Sequence, residues 1–187
     1  LKIRKRPRLI KGAEQMRRKL AVFLIITVCF LLQSTLFQML SIASISPNLL
    51  IVVTSSFGFM RGRKEGMWIG FFSGLILDIF FGSVIGFYVL IYAYIGYVNG
   101  FFRKRFFPDD IKLPLILIAA SDFSYNILVY LFLFFLRGRF RIDYYLLNIM
   151  LPELVYTILV TIVLYFIILK INKKLEKIEK RRASKFV

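Results

Sequence analysis

Three acidic residues lie within long apolar stretches of this chain, where a carboxyl group is costly unless it is paired or hydrated. Asp78 lies in the stretch LILDIFFGSVIGFY, Asp122 in the stretch SDFSYN, and Glu153 directly after Pro152. A carboxyl group in such a place can accept hydrogen bonds from a neighbouring helix or from a partner. We therefore treat these three acids as candidate functional residues.

The residue types that build common catalytic and metal sites are missing. The chain contains no histidine, and its one cysteine, Cys29, lies in an apolar stretch, so no disulfide framework exists. Without histidine the chain lacks the usual metal ligand and the usual general base. It also has no phosphate-binding loop and no metal motif. We expect a protein that is not an enzyme and that uses no cofactor and no metal.

The composition indicates which elements must position these acids. Hydrophobic residues make up 59% of the chain and the mean hydropathy is +0.73, which is typical of a membrane protein. No charged residue occurs between Lys19 and Arg61, or between Asp78 and Arg103. About 18 apolar residues suffice for a membrane-spanning helix. The sequence predicts an all-α integral membrane protein.

Six membrane spans fit the hydropathy pattern. The predicted spans are residues 20–40, 47–60, 67–81, 84–102, 113–136 and 144–169, and the last span is shortened to 152–170 if Pro152 starts its helix. Pro47, Pro114 and Pro152 all lie at or near predicted helix starts, where a missing N–H group costs nothing. The chain then divides into a basic segment at 1–19, a six-helix domain at 20–170 and a basic tail at 171–187.

Basic residues predict the orientation and exclude nucleic acid as the main partner. The net charge of +17 comes from residues at span ends and tails, where the positive-inside rule and anionic lipid account for them. Both termini are expected in the cytosol, with the loops at 61–66 and 103–112. The uncharged loops at 41–46 and 82–83 are expected outside. The loop at 137–143, with three arginines, is also expected outside, against the rule.

Residues 1–15 allow two interpretations. They are basic and low in apolar content, and Met16 is followed by Arg17, Arg18 and Lys19 and then by a span, as bacterial inner-membrane proteins often begin. Either these residues are not native, or they form a genuine cytosolic tail.

Small residues recur every four positions through the third predicted span. The series runs Gly66, Gly70, Gly74, Asp78, Gly82, Gly86. Residues four apart share roughly one helix face, and small residues there let another helix approach closely. We expect Asp78 to point into the bundle near this seam, as a turn residue, as a helix or partner contact, or as a site for a proton or an ion. If its role is hydrogen bonding, Asp78→Asn should be mild.

The other two acids leave similar alternatives open. Asp122 lies near mid-membrane beside Ser121, Ser124 and Asn126, and we expect it to be protonated or hydrogen-bonded, as structural glue or facing a cavity. Glu153 suits the first turn of a helix because its charge favours the positive end of the helix dipole. A partner contact is the alternative for Glu153.

Four stretches carry a resemblance to a known family. They are LLQSTLFQ, SPNLLIV, FGFMRGRKEGMWIGFFSGLILDIFFGSVIGFYVLIY and LPELVYTILV, and together they resemble MreD, the bacterial rod shape-determining membrane protein. The resemblance covers about residues 16–175, and its most specific part is the glycine-rich helix followed by Leu-x-Asp-x-x-x-Gly-x-x-x-Gly.

The resemblance implies a scaffold of the cell-wall elongation (rod) complex in the bacterial cytoplasmic membrane. It implies binding to MreC, a single-span protein, and indirect links to MreB filaments, to RodA and to a class B penicillin-binding transpeptidase. It also implies a fold similar to the substrate-binding subunit of energy-coupling-factor transporters. The alternative function is therefore a vitamin-type substrate-binding subunit, which the sparse polar residues disfavour.

Overall fold

The computed structural model describes residues 6–39, 45–82, 84–107, 111–134 and 142–183, and these form helices joined by short turns. In chain order the helices are α1 Arg6–Ser34, α2 Leu36–Met39, α3 Leu49–Arg61, α4 Arg63–Phe81, α5 Phe87–Asn99, a 3-10 turn Gly100–Arg105, α6 Lys112–Val129, a π-helical turn Tyr130–Phe134, α7 Ile142–Tyr145, a second π-helical turn Leu146–Met150 and α8 Leu151–Ala183. The described part contains no β-strand, so the all-α prediction is confirmed.

Helix α3 forms the centre of the bundle. Every residue from Leu49 to Met60 is buried, including Thr54, Ser55 and Ser56. A helix that is apolar on nearly every side can be stable only when other helices cover it. Helices α1, α4, α5, α6 and α8 all contact α3 and provide this cover.

Helices α4 and α5 form the most extensive helix pair of the bundle. A single residue, Gly62, joins α3 to α4, with φ 101° and ψ 179°, a backbone conformation essentially restricted to glycine. We call the end of the bundle that contains Gly62, Lys112 and the 3-10 turn the basic end. The opposite end, which contains the connection from Gly82 to Gly86, we call the turn end.

Contacts between distant residues hold the remaining helices in place. Helix α1 is tied to α4 at the basic end by the Arg18–Glu65 ion pair, whose Nη2 to Oε1 distance is 2.7 Å. Helix α8 is tied to α3 at the same end, where Arg61 Nε donates to Asn172 Oδ1 at 2.6 Å. Helix α6 packs against α8 along the interior.

The structure refines several predicted boundaries. The three prolines are confirmed near helix starts, since Pro47 precedes the N-cap Asn48 and the other two lie in the first turns of α6 and α8. The first predicted span, 20–40, is matched by the apolar segment Arg18–Met39, in which α1 ends at Ser34 and α2 continues to Met39. The span predicted at 84–102 starts with a turn, and its helix begins at Phe87. Residues 41–44, Ser83 and the arginine loop at 137–141 lie outside the described residues.

Three described segments are long and apolar enough to cross a membrane. They are Arg18–Met39, Lys112–Phe132 and Asp143–Lys177. Large apolar side chains such as Phe23, Trp68 and Val163 are exposed on the outer faces of α1, α4 and α8. Exposed apolar surface of this extent is what a lipid environment requires.

Candidate functional site

The glycine series on α4 lies directly against the backbone of α5. A Cβ atom added to Gly74 would lie 2.5 Å from the carbonyl oxygen of Tyr88, and one added to Gly70 would overlap the carbonyl oxygen of Tyr92. Gly66 faces Gly96 in the same way, because a Cβ on either residue would overlap the carbonyl oxygen of the other. The seam of Gly66, Gly70 and Gly74 is therefore filled by a helix of the same chain.

The seam continues onto α3 and onto the end of α5. A Cβ on Gly58 would lie 2.9 Å from both Asn99 Cβ and the Gly96 carbonyl oxygen, and a Cβ on Gly100 would overlap the backbone of Arg63. Gly96 and Gly100 were not among the sequence-predicted site residues. The signal was present in the stretch IGYVNG, where the two glycines stand four residues apart.

Asp78 caps the helix that follows its own. Its Oδ2 atom accepts from Gly86 N at 2.9 Å and from Val89 N at 3.0 Å, and its Oδ1 atom accepts from Tyr88 N at 3.0 Å. The first N–H groups of a helix have no partner within that helix, so a carboxylate there satisfies them and favours the positive end of the helix dipole. Asp78 is only 2% exposed, which makes water a poor substitute.

Two glycines shape the connection that brings α5 onto Asp78. Gly82 ends α4 and donates its N–H to the Asp78 carbonyl oxygen at 3.1 Å. Gly86 is the N-cap of α5 and has φ 102°, the left-handed conformation that favours glycine. Since Gly86 has no side chain to cap its own helix, the cap comes from α4.

The other two acids lie between α6 and α8, where Asp122 is fully buried and Glu153 is half-buried. Asp122 and Asn126 lie one turn apart on α6, and Glu153 and Thr157 lie one turn apart on α8. The Glu153 carboxyl interacts electrostatically with that of Asp122 and has the Asn126 amide as a hydrogen-bonding neighbour. Thr157 is the corresponding neighbour of Asp122. The structure thus brings Asp122 and Glu153 together, whereas Asp78 belongs to the α4–α5 seam.

Asn48 links this acid pair to the centre of the bundle. Its backbone N–H donates to Thr157 Oγ1 at 3.1 Å, and its Oδ1 atom accepts from Ile51 N at 3.2 Å and from the Tyr92 hydroxyl at 2.8 Å. Asn48 is therefore both the N-cap of α3 and a bridge between α5 and α8. No role for Asn48 was predicted from the sequence, although an asparagine directly before an apolar run is typical of an N-cap.

A cavity of about 220 Å³ opens at the turn end beside this network. Its polar wall consists of Gln33, Ser34, Gln38, Ser46, Tyr88 and Tyr125. The Tyr125 ring packs against Tyr92 with ring centroids 5.5 Å apart, so the cavity approaches the hydrogen-bonded interior. Among the described residues no group of three histidine, cysteine or acidic side chains is close enough to hold a metal ion by itself.

Comparison with known proteins gives one match. The family model for the rod shape-determining protein MreD matches residues 16–175. No curated protein and no solved structure matches the chain. The matched range contains the glycine seam, the Asp78 cap and the acid pair on α6 and α8. A match over most of the chain is decisive, and this protein belongs to the MreD family of rod shape-determining proteins.

Proposed function

We propose that this protein is a non-enzymatic membrane scaffold of the cell-wall elongation complex, which maintains rod shape by binding an MreC-type single-span protein and coupling it to peptidoglycan synthesis. The observation that carries the proposal is the family match over residues 16–175. Through the MreC-type partner the scaffold is linked indirectly to MreB filaments, to RodA and to the class B penicillin-binding transpeptidase. The family match does not favour a vitamin-type substrate-binding subunit.

The packing of α4 restricts the surfaces to which such a partner can bind. The seam glycines face α5, and both oxygens of the Asp78 carboxylate accept hydrogen bonds from the start of α5. The partner's span therefore binds an exposed apolar face rather than the seam. The outer faces of α4 and α8, with Phe72 and Phe166 among their exposed side chains, offer such a surface.

The proposed topology has six crossings of the bacterial cytoplasmic membrane, with both termini in the cytosol and anionic lipid at the basic end. Helix α5 has 13 residues and the 3-10 turn after it has 6. Together they measure about 32 Å, close to the thickness of the hydrocarbon core. Helix α3 is short but is covered by protein on all sides, so lipid does not set its length. A likeness to energy-coupling-factor substrate-binding subunits is part of the same proposal.

Complementation and co-purification test the function. The tagged protein is expressed in cells depleted of the native copy, and rod shape and recovery of the MreC-type protein are measured. We expect both to be restored, while an unrelated single-span protein, tagged in the same way, is not recovered. Normal rods without the protein, or retention of a small ligand in place of the MreC-type protein, would contradict the proposal.

Cysteine labelling tests the orientation. On a Cys29→Ser background, single cysteines are placed at positions 64 and 139 and treated with a reagent that does not cross the membrane. We expect labelling at position 139 but not at position 64. The opposite pattern would reverse the orientation.

A further inference from the structure

A groove runs between α1 and α4 from the basic end toward the middle of the bundle. The two helices are parallel, because Arg18 pairs with Glu65 at the basic end and Phe30 contacts Phe80 toward the turn end, with ring centroids 5.0 Å apart. Between these two contacts lies a cavity of about 330 Å³. On α1 its lining extends from Arg18 to Ile26, or about 12 Å along the helix. We call this cavity the α1–α4 groove.

The groove is apolar over most of its length. Its floor includes Ile26 and Ile69, which are buried, and its walls include Phe23 and Phe72, which remain exposed. The rings of Phe23 and Phe72 meet edge to face, with centroids 6.5 Å apart. An empty space of this kind costs its lining the dispersion contacts that a filling group would provide. In a bilayer the acyl chain of a lipid provides them.

The rim of the groove at the basic end carries more positive than negative charge. Arg18, Lys19 and Glu65 line it, and the first and last of these form the ion pair. Lys64 lies one turn before Trp68 on α4, so these two residues share a helix face. Both lysines are exposed, and no acid among the described residues forms an ion pair with either of them. Lys19 and Lys64 therefore offer positive charge to an anionic group at the rim.

Trp68 indicates that this rim lies at the level of lipid headgroups. It is the one tryptophan of the chain, it lines the groove, and it is 56% exposed. Tryptophan is enriched at the membrane–water interface, where its ring lies at the headgroup level. Its ring stacks with that of Phe72, with centroids 6.2 Å apart, which extends the aromatic wall into the apolar part. The groove thus has the polarity of a phospholipid, with charge at one end and apolar surface beyond it.

We propose that the α1–α4 groove binds one anionic phospholipid, with its headgroup at Lys19 and Lys64 and an acyl chain along Phe23 and Phe72. The inference rests on the proposed topology, in which the basic end faces the cytosolic leaflet. A helix does not fit, because a helix about 10 Å across and about 12 Å long occupies about 900 Å³, far more than the cavity of about 330 Å³. The outer face of α4 nearer the turn end, where Ile79 is exposed, stays available to the partner's span.

Quenching of the Trp68 fluorescence tests the site on the purified full chain, without any partner protein. The chain is reconstituted into phosphatidylcholine vesicles in which a fixed fraction of lipid, either phosphatidylglycerol or phosphatidylcholine, carries bromine on its acyl chains near the glycerol. Each lysine near the headgroup favours an anionic lipid by about fivefold, so we expect brominated phosphatidylglycerol to bind about five- to twentyfold more tightly than brominated phosphatidylcholine. Unbrominated phosphatidylglycerol should restore the fluorescence, and unbrominated phosphatidylcholine should not.

Four variants separate a defined site from general attraction to the basic end. Lys19→Gln should lower the preference for phosphatidylglycerol by about fivefold, and combining it with Lys64→Gln should abolish the preference. Val22→Phe, which fills the groove and leaves both lysines in place, should also abolish it. Lys173→Gln is the matched control, because it removes an exposed lysine at the same end on α8, and it should keep the wild-type preference. Should Val22→Phe fail to fold, the lysine variants still test the site.

Equal quenching by the two brominated lipids would overturn the proposal. A preference that Lys173→Gln lowers as much as Lys19→Gln does would overturn it too, because it would indicate attraction to the basic end as a whole. Recovery of the fluorescence on addition of the MreC-type protein would assign the groove to that partner instead. Since the quenching is measured without a partner, failure of the lipid site leaves the scaffold function standing, and failed recovery of the MreC-type protein leaves the lipid site standing.

Discussion

Replacing Asp78 with asparagine should destabilise the protein strongly, contrary to the mild effect expected from the sequence, because both carboxyl oxygens accept hydrogen bonds from backbone N–H groups. The carboxylate accepts three backbone N–H groups, two on Oδ2 and one on Oδ1. An asparagine has one acceptor atom and one donor group at the corresponding positions. In its better orientation it keeps the bonds from Gly86 and Val89 and points its NH₂ group at the N–H of Tyr88. The side chain then has a donor facing a donor.

The magnitude follows from these contacts. Leaving the buried Tyr88 N–H without a partner costs about 1–3 kcal/mol. The two remaining bonds lose their charge assistance, which removes roughly half the strength of each, or about 1 kcal/mol apiece. The net loss is about 3–5 kcal/mol, which corresponds to a Tm lower by about 6–20 °C for a chain of this size. Asp78→Ala leaves all three N–H groups without a partner and should be worse.

The assay is thermal unfolding of the purified variants in detergent, together with their steady-state membrane levels. Asp143→Asn is the matched control, because it makes the same chemical change on an exposed residue at the same end of the bundle, and its Tm should stay within about 2 °C of wild type. Unfolding of Asp78→Asn at the wild-type temperature, or at the same temperature as Asp78→Ala, would refute the capping role of the carboxylate.

Three further changes test other contacts. Gly70→Ala should lower the membrane level of the protein sharply, because the added Cβ would overlap the α5 backbone. The control Ala120→Leu, on the exposed face of α6, should not lower it. Equal levels of both variants would show that the seam accommodates a side chain. Tyr92→Phe should lower the free energy of unfolding by about 1 kcal/mol through loss of its bond to Asn48, and an unchanged Tm would contradict that contact. Trp68, the one tryptophan of the chain, is 56% exposed on α4, so brominated lipid should quench its fluorescence in vesicles; fluorescence that only an aqueous quencher reduces would place α4 outside the bilayer.

Sequence reasoning located the glycine seam but not the helix that fills it. A four-residue repeat of small side chains indicates that another helix backbone packs closely against this face. It does not indicate which helix that is. The packing helix is α5, because the connection between Gly82 and Gly86 folds α5 back onto α4. The matching glycine, Gly96, faces Gly66 from the other side.

For the three acids too, the sequence predicted the local setting of each residue but not its neighbours in the folded protein. The pattern placed Asp78 near a turn, but its three N–H donors come from residues eight to eleven positions later, which no helical period relates to it. Glu153 fits its expected place in the first turn of α8. Its proximity to Asp122 depends on how α6 packs against α8, and the antiparallel packing of two helices far apart in sequence cannot be read from either one alone.

The cap that Asp78 provides has a consequence for how the chain enters the membrane. In lipid an N–H group without a partner costs several kcal/mol, and the first N–H groups of α5 have no partner within their own helix. The start of α5 becomes acceptable to the bilayer only when the end of α4 is beside it. In the proposed six-crossing topology we therefore expect α4 and α5 to enter the bilayer together, as one helical hairpin.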